Sequence, residues 1–218
     1  METFLVFKVS YISLHQIAMK KILSSCSEMF LTLGFKSVTM DDIAQKLAIS
    51  KKTLYAHFPN KKALVQKCVF HFFDYVTAEI SHISENASNP IAELYDIKLC
   101  MMQKIKNEKI SPQFQLKKFY PEIFNELQEK QMTFMVQQMS NSLEKGVTLG
   151  LFRPNLNIPF TARLYFNGMM GIKDQNLFPA DMFQHSQLMT DYLEYHVRAI
   201  CTEAGMELFN SFDNHAHD

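Results

Sequence analysis

Hydrophobic residues recur at helical spacing along nearly the whole chain. The first such stripe advances by four, three, one and three residues, and its members are Ile22, Cys26, Met29, Phe30 and Leu33. Gly34 follows directly, at the point where a helix commonly ends on a residue with left-handed backbone. The pattern predicts a first helix from about Ser13 to Leu33.

Two short helices are predicted next. Thr39-Met-Asp-Asp42 has the composition of a helix start, because the Thr hydroxyl can accept from a backbone N–H and the Asp carboxylate can reach back. The helix that begins there should end near Leu47. After a short turn, Ser50 is a good N-cap for a third helix over residues 51–57, and Pro59 ends it. Two short helices joined by a three-residue turn describe a helix-turn-helix unit.

The remainder of the chain is also predicted to be helical. Asn60 caps a long fourth helix that ends in the polar, turn-rich stretch 84–90, and helical spacing resumes at Ile91. Ser111-Pro112 and Tyr120-Pro121 are natural helix starts, since Pro is tolerated in the first turn. The last long helices are predicted over residues 121–149, 158–172 and 181–206.

These elements define an all-α fold with two domains. Residues 13–75 would form an N-terminal three-helix domain with the helix-turn-helix, residues 76–210 a larger helical bundle, and residues 211–218 a flexible tail. Only 6 Gly and 7 Pro occur in 218 residues, so tight turns are few and an all-β sandwich or barrel is disfavoured.

The charge is balanced overall but not along the chain. The 22 basic and 22 acidic residues cancel, yet residues 1–75 contain ten Lys and five acids, a net charge of +5. The rest therefore carries 12 basic and 17 acidic residues, a net charge of −5. Such an asymmetry is typical of a nucleic-acid-binding part joined to a part with another task.

Other features of the chain indicate a cytoplasmic protein. The four Cys are far apart and form no CxxC pair, which favours reduced thiols over disulfides or a metal site. The apolar stretch 1–14 lacks a basic leader and a cleavage site, so a secretory signal is not expected, and no window is apolar enough for a membrane span. A better-patterned segment begins at Met19, which leaves Met1 and Met19 as alternative translation starts.

The third helix carries the candidate chemistry. Ile43, Ile49, Leu54 and Phe58 would form the apolar side of the unit, and the small Ala44 allows the two short helices to approach closely. The opposite face of the third helix presents side chains that can contact phosphate oxygens or base edges, namely Lys51, Lys52, Thr53, Tyr55 and His57. A helix of this diameter fits the major groove of DNA.

At these residues the sequence resembles the TetR family of bacterial transcriptional regulators. The resemblance covers about residues 15–75. It rests on Gly34-Phe35, Thr39-x-x-Asp42-Ile43-Ala44 and Ser50-Lys51-Lys52-Thr53-Leu54-Tyr55-x-His57-Phe58-x-x-Lys61-x-x-Leu64. More loosely, residues 120–123 and 144–154 resemble the ligand-binding and dimerisation domain of that family.

The resemblance implies roles for individual residues in DNA binding. The helix over 51–57 would be the recognition helix, with Lys52, Thr53 and Tyr55 as its main contacts. Thr39 and Lys61 would bind phosphates on either side, together with Tyr55 and His57. Which of Lys51, Lys52 and Thr53 touches a base edge stays open. The family usually has Gly where this chain has Ala48, and an Ala in left-handed conformation should cost about 1 kcal/mol.

The resemblance also implies a dimer that binds a palindromic, double-stranded operator. A small-molecule effector, expected to be apolar, would release the dimer from it. The helices from Ile158 to Met206 would form the dimer interface. The effector cavity would be lined by apolar side chains beyond residue 90, for which the candidates are Phe114, Phe119, Phe134, Met135, Phe166, Met169 and Met170. Repression is expected, with activation as the alternative.

Catalysis, cofactors and metals are not indicated. No glycine-rich phosphate loop, nucleophile elbow or paired Cys/His signature occurs. His71 and Asp74 lie one turn apart without a third ligand, and the His and Asp residues of the tail, at positions 213, 215, 217 and 218, are better explained by a flexible segment. Two other classes stay open: a helical interaction or ligand-binding module with a degenerate helix-turn-helix, and a helical-bundle enzyme, which lacks any reactive-residue pattern.

Overall fold

A computed structural model describes residues 19–105 and 112–214, and its described part is helical as predicted. Helix α1 occupies residues 19–33 within the described chain. The following helices are α2 Met40–Lys46, α3 Lys51–His57, α4 Lys61–Asn86, α5 Pro90–Ile105, α6 Pro112–Phe119, α7 Pro121–Thr148, α8 Ile158–Gly171, α9 His185–Ile200 and α10 Glu203–Asn214. The all-α fold class is confirmed. Between the described residues the only β feature is a single bridge that joins Phe152 to Cys201.

The described residues divide into two compact units. Residues 19–76 and 112–128 form the first, and residues 77–105 and 129–214 form the second. The unit with the helix-turn-helix thus also contains α6 and the first turns of α7, which the sequence assigned to the following domain.

The first unit has one apolar core. Ile43 of α2, Leu54 of α3 and Leu64 of α4 are fully buried in it. Phe30 of α1 stacks on Phe35 with ring centroids 5.3 Å apart. Burying side chains of this size contributes about 1.5–3 kcal/mol each, so the core fixes the positions of the two short helices.

Two helices of this unit end and begin at the residues that the sequence predicts. Gly34 has a φ of +86°, which an L side chain rarely adopts, and its N–H donates to the carbonyl of Phe30 at 3.0 Å. Asn60 caps α4, since its Oδ1 accepts from the N–H of Ala63 at 2.9 Å.

The second unit is built on α5 and α7–α10, with the remainder of α4. Its main core contains fully buried Leu143, Phe152 and Val197. One polar pair is enclosed as well, because the Ser142 hydroxyl donates to Oε2 of the buried Glu93 at 3.0 Å.

The C-terminal prediction of one helix over residues 181–206 is wrong. Helix α9 ends at Ile200 and α10 begins at Glu203, because the chain pairs at this point with the segment after α7. The N–H of Thr202 donates to the carbonyl of Leu151 at 3.0 Å, and the Thr202 hydroxyl accepts from the N–H of Gly205 at 3.2 Å as a new N-cap.

Two other expectations at the chain ends have different outcomes. Ser211 and Phe212 belong to α10, where the sequence predicted a flexible tail, and Phe212 stacks on Tyr95 at 5.4 Å between centroids. The predicted start of the first helix at Ser13, the stretch 1–14 and residues 215–218 lie outside the described residues. Over the two described ranges, no helix combines the length and the apolar character needed to cross a membrane.

Candidate nucleic-acid interface

The turn between α2 and α3 has a strained backbone residue. Ala48 has a φ of +52°, the left-handed conformation in which Gly would be free of strain. The N–H of Ile49 donates to the carbonyl of Ala44 at 3.0 Å and closes the turn. Because Ala44 is buried and has only a methyl group, the two helices pack closely. The tight turn that joins them contains the strained backbone of Ala48.

Helix α3 is buried on one side and exposed on the other. Leu54 is the buried contact with the core. All five residues predicted to face a nucleic acid are exposed, namely Lys51, Lys52, Thr53, Tyr55 and His57. Ser50 Oγ accepts from the N–H of Thr53 at 3.0 Å and lies 2.8 Å from its hydroxyl oxygen. The structure therefore leaves all five side chains exposed on the helix that Leu54 holds against the core.

The five residues differ in how they are held. Lys51 Nζ donates to Oδ2 of Asp41 at 2.7 Å, and this hydrogen bond raises the pKa of the lysine. The ammonium group of Lys52 has no ion pair or hydrogen bond with any other residue of the described ranges. Of the two adjacent lysines, Lys52 therefore carries the charge that is readily available to a phosphate or a base.

The two aromatic side chains at the end of α3 are placed differently. Tyr55 is 48% exposed, although the apolar ring of a tyrosine is often buried. The imidazole of His57 is tilted against the ring of Phe58, with centroids 6.3 Å apart. Phe58 is buried and belongs to the core, in line with its purely structural interpretation.

Thr39 and Asp42 form the capping box that the sequence predicts. The hydroxyl of Thr39 donates to Oδ2 of Asp42 at 2.7 Å and accepts from the N–H of Asp42 at 3.1 Å. The Thr39 hydroxyl and N–H lower the pKa of the Asp42 carboxyl. Since this hydroxyl is already engaged, a phosphate at the start of α2 would chiefly meet the free backbone N–H groups of its first turn.

Lys61 lies at the start of α4, where its ammonium group is partly enclosed. Its Nζ donates to the carbonyl oxygen of Lys36 at 3.4 Å. Partial burial lowers the pKa of Lys61, and the nearby charge of Asp42 opposes that effect. Lys61 therefore borders both the capping box and the turn after α1.

Sequence reasoning missed the role of Asp41 and the position of Lys36. Asp41 and Lys51 are ten residues apart, and their contact depends on the angle between two helices. A signal did exist, because an acid in the first turn of one helix and a lysine in the first turn of the next can meet across a tight turn.

The predicted effector-lining residues do not form a single group. Phe114 and Phe119 belong to the first unit and have exposed rings. The other five belong to the second unit and are half-buried, and they are Phe134, Met135, Phe166, Met169 and Met170.

A small apolar cluster in the second unit includes one of them. Its buried members are Ile172, Leu188 and Met189, and its half-buried members are Met101, Met102, Met169, Phe178 and Tyr192. We call this the methionine cluster. It lies between α5, α8 and α9, and no pattern in the sequence pointed to Met101 or Met102.

Beside the methionine cluster lies a row of aromatic rings. Tyr165 stacks on Tyr192 at 5.6 Å and contacts His196 at 4.6 Å between ring centroids. The hydroxyl of Tyr192 donates to the carbonyl of Tyr165 at 3.0 Å. His196 is buried, its Nε2 has no hydrogen-bond partner among the described residues, and burial lowers its pKa to about 4.

His71 and Asp74, the two metal ligands considered from the sequence, both belong to α4. The Nε2 of His71 lies 3.1 Å from the hydroxyl oxygen of Ser24. In the described ranges no group of three His, Cys, Asp or Glu side chains could hold a metal ion.

Comparison with known proteins points to one family of DNA-binding proteins. The sequence model described as "Bacterial regulatory proteins, tetR family" matches residues 22–68, which contain α2, α3 and most of α1. The matched segment is the part of the chain on which the sequence resemblance rests.

Curated relatives and solved structures extend the likeness beyond that segment. The HTH-type transcriptional regulator UidR of Escherichia coli K12 is 27% identical over 172 residues, which cover 70% of this chain and 78% of that protein. The HTH-type transcriptional repressor KstR2 of Mycolicibacterium smegmatis is 26% identical and covers 66% and 71%. A transcriptional regulator from Cytophaga hutchinsonii shares the fold, with a TM-score of 0.70 at 18% identity over 85% of this chain and 99% of that one.

Proposed function

Since the chain belongs to the TetR family of bacterial transcriptional regulators, we propose that it represses transcription as a dimer on a palindromic operator and that an apolar effector releases it. The observation that carries the proposal is the exposed polar face of α3, held on a buried core behind it. A protein that binds chromosomal DNA in this way would act in the bacterial cytoplasm.

In this proposal α3 lies in the major groove. Lys52, Thr53 and Tyr55 contact the DNA from the exposed face, and the N–H groups at the start of α2 bind a phosphate. Lys61 binds a phosphate on the other side. Lys51 contributes less than Lys52, because Asp41 already holds its ammonium group.

Dimerisation is supported by apolar side chains that remain exposed on α8 and α9. Phe160 is 62% exposed, Leu164 50% and Tyr195 71%. Large exposed apolar groups in a small region are typical of a surface that another protein covers. A two-fold dimer through these helices would present two copies of α3 to the two halves of a palindrome.

The methionine cluster supports the effector part of the proposal. Met side chains are flexible and adapt to apolar ligands of irregular shape, and four of the eight residues here are Met. An effector that binds more tightly to a conformation with wrongly spaced recognition helices would shift the equilibrium away from DNA.

The proposal is tested by fluorescence anisotropy of the full chain with duplexes tiled across the regions that flank its gene, at two salt concentrations. We expect tight, salt-sensitive binding to one fragment, and its loss in Tyr55→Ala. Lys61→Ala should weaken binding to all sequences alike, with a salt slope shallower by about one, and Lys52→Ala should also relax the base preference.

Equal, weak binding of the parent to every fragment, or no binding, would contradict the proposal. It would favour the interaction module with a degenerate helix-turn-helix. Parent-like binding by both lysine variants would show that the DNA-binding face lies elsewhere.

A further inference from the structure

A basic and aromatic surface lies beside the helix-turn-helix, in the same unit. Lys36 Nζ lies 5.8 Å from the ring centroid of Phe119, and Lys118 Nζ lies 5.7 Å from the same centroid and 5.9 Å from that of Phe114. Both Phe rings and both Lys residues are exposed. We call these four residues the α6 patch.

Helix α6 is packed firmly onto the helix-turn-helix unit. Leu116 is buried in the common core. Gln115 covers Gly34 so closely that a Cβ on Gly34 would lie 2.6 Å from its Nε2, and Tyr120 meets the ring of Phe35 edge-on at 6.2 Å. The α6 patch is therefore fixed relative to α2 and α3.

The α6 patch is continuous with the predicted phosphate contacts. The carbonyl oxygen of Lys36 accepts from Nζ of Lys61, and Thr39 follows Lys36 by three residues. Lys36 thus lies in the turn before α2, next to both residues expected to bind phosphates.

The charge of the α6 patch is not neutralised by its own helix. The sequence of α6 is PQFQLKKF and contains no acid. The nearest acid along the chain, Glu122, forms an ion pair with Lys62. A contact with an aromatic ring orients an ammonium group but leaves its positive charge in place.

We propose that Lys36 and Lys118 bind backbone phosphates of the duplex that flanks each operator half-site. The inference rests on the proposed DNA binding and extends it to sequence-independent contacts, one of which, Lys118, comes from a helix outside the matched family segment. The partner follows from charge complementarity, because a row of lysines that continues a phosphate-binding edge fits the regularly spaced charges of a duplex.

The test compares two duplexes, a minimal operator trimmed to its two half-sites and the same operator extended by about ten base pairs, one helical turn, on each side. The parent protein should bind the extended duplex more tightly, by roughly tenfold or more at moderate salt. The variant Lys36→Gln/Lys118→Gln should lose this gain, and its salt slope on the extended duplex should be shallower by about two per protomer. On the minimal duplex it should bind like the parent.

A matched control removes two charges outside the α6 patch. Lys67→Gln/Lys145→Gln changes exposed lysines of α4 and α7 and should keep the gain from the extended duplex. Thermal unfolding of both variants verifies that they are folded.

The outcomes separate the two proposals. If the parent binds the minimal duplex but gains nothing from the flanks, the α6 patch proposal fails alone. The same holds if the control loses as much as the patch variant. If the parent binds neither duplex, the proposed function fails and the α6 patch proposal fails with it.

Discussion

Nζ of Lys51 lies 2.7 Å from Oδ2 of Asp41, so the first residue of α3 is tied to the first turn of α2. Both side chains are more than half exposed, and a pair of this kind adds little to stability. Its effect is on the charge that the exposed face presents. The carboxylate of Asp41 lies at the start of α2, where a DNA phosphate is proposed to bind. Its negative charge would repel that phosphate.

Replacement of Asp41 by Asn should therefore strengthen DNA binding. The change releases the ammonium group of Lys51 and removes one negative charge, and we expect affinity for all duplexes to rise several-fold at low salt and less at high salt. Anisotropy titrations at several salt concentrations measure this. Glu28→Gln, an equal change of charge on α1, is the control. An unchanged affinity in Asp41→Asn would mean that α2 does not approach the DNA.

The strained backbone of Ala48, in the turn between α2 and α3, should lower the stability of the protein. Ala48→Gly should stabilise the protein by about 1 kcal/mol, because Gly adopts a φ of +52° without the strain of a Cβ. Ala56→Gly on the exposed side of α3 is the matched control and should destabilise by about the same amount. Chemical unfolding of both variants measures the two shifts. A loss of stability in Ala48→Gly would contradict the interpretation of the turn as strained.

Two helical glycines should respond in opposite ways to the same substitution. A methyl group on Gly146 would overlap the ring of Phe152, which is fully buried. Gly171 has nothing within 4 Å of such a methyl. Gly146→Ala should therefore destabilise by about 1–3 kcal/mol, whereas Gly171→Ala should be neutral or slightly stabilising. Thermal unfolding distinguishes them, and equal melting temperatures would contradict the packing at Phe152.

The features predicted from sequence are those that depend on neighbouring residues. The capping box of Thr39 and Asp42 and the end of α1 at Gly34 follow from chemistry within three or four positions. The exposed face of α3 follows from helical spacing around Leu54.

The missed features depend on contacts between distant segments. The break between α9 and α10 arises because Cys201 pairs with Phe152, and no local signal at Cys201 indicates it. Likewise, the apolar spacing of α5 predicts a helix but not that Met101 and Met102 pack against the same cluster as Met169 of α8. Such contacts depend on helix crossing angles, which spacing along one helix does not determine.

The buried His196 should make the stability of the protein depend on pH. Burial lowers its pKa from 6.5 to about 4, so the folded chain holds it neutral where the unfolded chain would protonate it. The unfolded state then binds more protons between pH 6.5 and 4, and the free energy of unfolding falls as the pH is lowered through that range. The full loss would be on the order of 3 kcal/mol.

His196→Phe separates this effect from the titration of the carboxylates. The variant keeps a ring against Tyr165 and removes an Nε2 that has no partner among the described residues, so it should be at least as stable as the parent at pH 7.5. Its advantage should grow by about 3 kcal/mol towards pH 4, as measured by urea unfolding at a series of pH values. The control is His82→Gln, which removes a histidine at an exposed position of α4. If the difference between His196→Phe and the parent were independent of pH, His196 would titrate alike in the folded and unfolded chains, and its proposed enclosure beside Tyr165 would be wrong.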